Sequence, residues 1–152
     1  VVLAHLATLA TSAQRIAGAR SAWSDAGLAA DSLKIIDGIS TAEDTARVLH
    51  DLLEGEEPPT AVFAARNEIT VGVVRALQSR GQQHEIALIG FDDFEHADLL
   101  DPAVTVVRQD PARLGGLVTE RLFARLDDPS LPVEQLVVKT RLIRRQSCGC
   151  GA

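Results

Sequence analysis

Hydrophobic and polar positions follow two alternating rhythms along the chain. Short apolar runs at Val1–Leu6, Leu33–Ile36, Thr60–Ala64, Ile86–Gly90 and Val104–Val107 have the length and β-branched content of strands. Between them, apolar residues recur at helical spacing. Ala13, Ile16, Ala19, Trp23 and Ala26 form one stripe, which Thr11 or Ser12 can cap and Gly27 can end. Ala42, Ala46, Leu49 and Leu53 form a second, opened by a capping box of Ser40 with Glu43 and closed by the stretch from Gly55 to Pro59. Ile69, Val73, Ala76 and Leu77 form a third, with Asn67 as N-cap and Gly81 at its end. Asp110 and Pro111 make an N-cap and first-turn pair for a fourth stripe of Leu114, Leu117, Val118, Leu122 and Leu126. A long acidic loop, Phe91–Pro102, a turn-rich linker, Asp127–Pro132, and a last extended segment, Leu136–Ile143, complete the chain. Strand and helix in alternation predict an α/β fold: three αβα layers around a mostly parallel sheet, joined by right-handed crossovers. Ile86–Gly90, apolar throughout, is expected to be buried on both faces.

Composition narrows the class. The 152 residues, 46% hydrophobic and 24% charged, suit one soluble domain with a real core. No apolar run reaches the ~20 residues of a membrane helix. Val1–Ala10 lacks the basic start of a signal peptide. A net charge of −6 argues against direct nucleic-acid binding, which needs a basic surface. Lys139, Arg141, Arg144 and Arg145 are too few to change this and read as a solvated strand or tail. Cys148 and Cys150, one residue apart, suit neither an unstrained disulfide nor a zinc site. They are expected to be reduced thiols on a frayed end, in a cytoplasmic protein. The chain starts at Val1 and holds no methionine, so it is expected to be a piece of something longer.

Polar groups cluster where each apolar run stops. His5, Thr8 and Arg15 follow the first, and Asp37 and Ser40 the second. Arg66, Asn67 and Glu68 follow the third, Asp92 and Asp93 the fourth, and Arg108, Gln109 and Asp110 the fifth. A parallel sheet presents its ligand-binding groups at the carboxyl ends of its strands. Aspartate and arginine grip vicinal hydroxyls through charge-assisted bonds, and amides supply both donors and acceptors. The set suits a sugar or nucleoside and is poor for breaking bonds. Structural roles stand beside each reading: Asp92 capping its loop or pairing with Arg66, Asn67 as a helix cap, Arg15 as a solvated residue, His5 as a satisfied structural histidine. No nucleophile elbow, phosphate-binding loop or dinucleotide fingerprint occurs. His50, His84 and His96 lack metal-ligand spacing. Neither an enzyme nor a cofactor or metal is expected.

The phrases PPTAVFAARNEITVGVVRALQSRG, IALIGFDDFEHADLLDPAVTVVRQDPARLG and LVVKTRLIRRQSCG resemble the carboxyl half of the lac-repressor (LacI/GalR) family of transcriptional regulators. The opening TSAQRIAGARSAWSDAGL is similar to that family's Ser/Thr-rich loop and Arg-x-x-Gly helix. The resemblance spans nearly the whole chain. It implies a periplasmic-binding-protein-like effector domain of type I, of which this chain holds the second subdomain. Residues 1–108 would form that subdomain. The helix and strand start of 109–138 would belong to an absent first subdomain, 139–147 would return as a strand, and 148–152 would be a tail. The resemblance places Arg15, Ser40, Arg66, Asp92 and Gln109 at the effector cleft, and Asn67, beside Arg66 at the same strand end, is a further candidate. Ser40 stands where many members carry an aromatic, Arg66 where the family usually has asparagine, and His5 where it usually has glycine. Two arginines favour an acidic or phosphorylated effector beside the neutral-sugar alternative. Operator DNA would be bound only through an absent amino-terminal domain, in a homodimer, with no membrane involved. The stripe of Leu114, Leu117, Val118 and Leu122 would then lack its partner. The competing reading is a solute-binding protein of an ABC sugar transporter.

Overall fold

The structure, a computed structural model, describes residues 1–149. Its strands are β1 (Val2–Leu3), β2 (Ile35–Ile36), β3 (Ala61–Ala64), β4 (Ala87–Phe91), β5 (Thr105–Arg108) and β6 (Arg141–Ile143). Its helices are α1 (Ala10–Asp25), α2 (Ala42–Leu53), α3 (Asn67–Arg80) and α4 (Pro111–Asp127). The sheet runs in the order β2-β1-β3-β4-β5-β6. The first five strands are parallel, and β6 is antiparallel to β5, with Arg108 opposite Arg141. The strand order switches at β1, which has β2 on one side and β3 on the other, so the chain leaves the carboxyl ends of β1 and β3 in opposite lateral directions and opens a crevice there, the usual ligand position in such sheets.

The two faces of the sheet are covered unequally. Leu3, Val62, Ala64, Leu88 and Val106 pack against α2 and α3 through Leu49, Ile69, Val73 and Leu77 in the main core. The two helices meet closely at Gly72, where an added Cβ would lie 2.6 Å from the Thr45 Cβ and 2.8 Å from the Ala42 carbonyl oxygen. Gly90 does the same between β4 and α3, with the Thr70 side chain 2.7 Å from a built Cβ. The opposite face carries only a small cluster under α1, made of Ala4, Ile16 and Ala65. The rest of that face borders a cavity of about 800 Å³ lined by Ala61, Phe63, Ala87, Ile89, Trp23 and Ala22, among others. This corrects the expectation that Ile86–Gly90 is buried on both faces. Leu88 and Gly90 are buried, while Ala87, Ile89 and Phe91 are half-exposed, because successive strand residues point to opposite faces and only one face is fully covered.

Local boundaries differ from expectation in several places. The Val1–Leu6 run pairs as a strand only at Val2–Leu3, since the exposed turn from Leu6 to Leu9 leaves the sheet early. Helix α1 starts at Ala10 behind Leu9, with no side-chain cap, so neither Thr11 nor Ser12 caps it. The cap of α2 is Thr41, whose Oγ1 accepts from the Asp44 N–H at 3.0 Å, and Ser40 stands one residue outside. Asn67 is the first residue of α3, after an Arg66 that makes no side-chain cap. Asp110 does cap α4, accepting from the Arg113 N–H at 2.9 Å, with Pro111 in the first turn. The last extended segment pairs only at Arg141–Ile143.

Helix α4 has no buried residue. Val118, Leu122, Phe123 and Leu126 are 56–65% exposed, and Val133 and Val137 beyond it more so. Among the described residues the apolar stripe therefore finds no cover, which is unusual for an amphipathic helix.

Candidate functional site

The polar ends of β4 and β5 form a direct pair. Gln109, the first residue after β5, donates from Nε2 to Asp92 Oδ1 at 2.5 Å. Asp92, the first residue after β4, has φ 70° and is held by its own N–H donating to the Val107 carbonyl at 2.9 Å. Both residues, with Asn67, Asp93, Arg108 and Pro111, line a second cavity of about 540 Å³ at this edge of the sheet.

Arg15 reaches the same edge from α1. Its Nη1 donates to the Ala65 carbonyl at 2.8 Å, and its guanidinium lies 3.7 Å from the centre of the Phe91 ring, a cation–π distance. Burial pushes its pKa below the ordinary value, Asp92 opposes that, and nearby Arg66 adds to it. A half-buried guanidinium whose plane and direction are already set is preorganised to form a fork with ligand hydroxyls. Phe91 was not recognised from the sequence. The signal was there, because Ala87, Ile89 and Phe91 share one face of β4 by strand alternation.

Arg66 does not pair with Asp92. Its Nη2 lies 2.6 Å from Glu68 Oε2, two residues on in the first turn of α3. Asn67 is exposed and borders the 540 Å³ cavity. Ser40 is exposed, near the end of β2, and lies outside both cavities. His5 is half-buried, with Nδ1 bonded to the Ile39 carbonyl at 2.9 Å, a structural contact. The structure thus brings together Arg15, Asp92 and Gln109, with Asn67 and Arg66 at the rim, and leaves Ser40 apart.

Asp93, beside Asp92, does something different. Its carboxylate takes both Arg145 nitrogens, Nη1 to Oδ1 at 2.9 Å and Nη2 to Oδ2 at 3.0 Å. The Arg145 hydrogen bonds hold the Asp93 carboxyl below the usual range. Arg145, expected to be solvated, is instead only 17% exposed at its side chain. Cys148 donates weakly to the Arg145 carbonyl, and Cys150 lies outside the described residues.

Among the described residues no group of side chains could hold a metal ion, and no helix is long and apolar enough to cross a membrane. A mostly parallel sheet ending in a hydrogen-bonded Asp92–Gln109 pair, with the Arg15 guanidinium nearby, is the framework of a small-molecule-binding domain rather than of a nucleophilic enzyme. Comparison with known proteins agrees. The chain belongs to the family described as periplasmic binding protein-like domain, matched over residues 2–148, and within it to the effector-binding domains of LacI-type regulators. It is 30% identical over 135 residues to the ribose operon repressor of Haemophilus influenzae, covering 88% of this chain and 41% of that protein. A LacI-family regulatory protein of Chloroflexus aggregans is 27% identical with a TM-score of 0.85, over 97% of this chain and 54% of that one. A transcriptional regulator CelR, solved as its cellobiose complex, is 26% identical with a TM-score of 0.86, over 97% and 46%. The chain spans less than half the length of the curated repressors it matches.

Proposed function

We propose that this chain is the effector-sensing part of a LacI-type transcriptional repressor that binds a sugar or sugar-like molecule in a cleft between two subdomains. The observation that carries the reading is the Asp92–Gln109 pair with Arg15 beside it, a donor and acceptor set suited to vicinal hydroxyls. On this reading residues 1–108 and 139–147 form one subdomain, and α4 with the strand start up to residue 138 belongs to the other. The uncovered apolar face of α4 supports that division. Operator DNA is contacted through an amino-terminal domain of the longer protein, which works in the cytoplasm as a homodimer. Effector binding then controls operator affinity by shifting the two subdomains relative to each other. The related repressors favour a regulator over an exported solute-binding protein of a transporter.

An acidic or phosphorylated effector is a second reading, favoured by two guanidiniums close enough for Arg66 to depress the pKa of Arg15. Glu68 offsets Arg66, so Glu68→Gln should raise affinity for sugar phosphates and leave neutral sugars little changed. The test of the main reading is calorimetric titration of the full-length repressor with ribose, cellobiose and their phosphates. Whichever of these binds should lose on the order of tenfold or more with Arg15→Ala or Asp92→Ala, about 1.4 kcal/mol per decade. Unchanged affinity in both variants would mean that the effector binds elsewhere.

A further inference from the structure

Asp92 is held in a conformation that L-residues rarely adopt, with φ 70°. Two contacts restrain what comes before it and its side chain: its N–H to the Val107 carbonyl and Gln109 to its Oδ1. Neither restrains the peptide that follows. That peptide leads into Asp93, which is gripped by both prongs of Arg145 and also accepts from the Phe94 N–H at 3.2 Å. Arg145 is itself fixed. Its backbone N–H donates to Thr105 Oγ1 at 2.9 Å, and its Nη1 donates to the Val104 carbonyl at 2.7 Å. Thr105 and Val104 are fully buried residues at the start of β5, so the fork is mounted on the core.

The geometry points to Asp93 and Arg145 as positioning residues: their two-pronged ion pair keeps residue 92 left-handed and so aims the Asp92 carboxylate at Gln109 and the ligand cleft. Its value for ligand binding rests on the function proposed above, but its effect on Asp92 does not. The plainer alternative is that Arg145 merely fastens the segment after β6 to the sheet. Ser147 performs that fastening too, donating to the Leu88 carbonyl at 2.6 Å and accepting from the Thr105 N–H at 2.9 Å, without touching Asp93. Ser147→Ala is therefore the control.

The experiment is nuclear magnetic resonance on the labelled 152-residue chain, with a thermal melt of each variant. Arg145→Gln should remain folded yet lose the strong intraresidue HN–Hα cross-peak of a left-handed Asp92. It should also move the Gln109 side-chain amide signals. Arg145→Lys, which keeps the charge but not the fork, should fall between wild type and Arg145→Gln, and it carries the test should Arg145→Gln fail to fold. Ser147→Ala should lower the melting temperature and leave both signals in place. Asp92 and Gln109 signals at their wild-type positions in a folded Arg145 variant would overturn the proposal. A repressor whose sugar affinity ignores Asp92→Ala would instead overturn the ligand reading and leave this result standing.

Discussion

Replacing Gly72 by alanine sets two effects of known sign against each other. In an open helix the change stabilises by about 1 kcal/mol, because alanine loses less backbone freedom than glycine. At Gly72 the new methyl would sit 2.6 Å from the Thr45 Cβ, 2.8 Å from the Ala42 carbonyl oxygen and 3.0 Å from the Thr45 Cγ2. Carbon atoms prefer about 3.5–4.0 Å, so α2 and α3 must separate by roughly 1 Å. A rotamer change does not help, because the contact is with Cβ itself, and Thr45 is fully buried with Oγ1 bonded to the Thr41 carbonyl. Overpacking of this kind costs about 1–3 kcal/mol, so after the gain of about 1 kcal/mol the net change should be a loss of up to roughly 2 kcal/mol. For a chain of this size that lowers Tm by up to about 8 °C. Gly18, in α1 with nothing within 4 Å of a built Cβ, supplies the opposite case. Gly18→Ala should gain up to about 1 kcal/mol. Urea unfolding monitored by circular dichroism reads both. A Gly72→Ala variant stabilised by about 1 kcal/mol, as much as Gly18→Ala, would refute the close α2–α3 contact on which the buried side of the sheet depends.

Thr41→Ala should cost about 1 kcal/mol through the lost helix cap, whereas Ser40→Ala should stay within about 0.5 kcal/mol, both measured by urea midpoint. The Asp93 carboxyl has a folded pKa below its ordinary 3.8, so its ion pair adds stability above that value. This contribution is lost as pH falls through the depressed pKa. Wild-type stability should therefore drop more steeply than that of Asp93→Asn in melts taken below about pH 4. Val118→Ser with Leu122→Gln, on the exposed face of α4, should change stability by less than about 0.5 kcal/mol. The pair should also reduce concentration-dependent association in sedimentation velocity.

The sheet and its helices were legible because each apolar run is short, β-branched and bounded by caps or glycines. The crevice was legible because polar residues begin where those runs stop, which brought out Arg15, Asp92 and Gln109 together. The misreadings share a cause: their determinants lie outside the local window. Arg145 looked like a tail residue because its partner, Asp93, is 52 positions away. The open face of β4 could not be foreseen, since periodicity reports that two faces exist and not what covers them. Arg66 was set against Asp92 on charge alone, but a nearer carboxylate, Glu68, takes it. Ser40 and Thr41 are both competent caps, and only the backbone turn chooses between them.

The central claim is that the effector contacts the polar carboxyl edge of the sheet at Asp92 and Asn67, rather than lying wholly in the larger apolar cavity under α1, which Arg15 and Gln109 also border. Side-chain amide and guanidinium resonances, followed while the full-length repressor is titrated with the sugar that binds it, test this directly. The account predicts that Asn67 Nδ2 and Gln109 Nε2, which border the cavity at that edge, shift first and most. Shifts centred on the Trp23 indole N–H, with Asn67 unmoved, would contradict it.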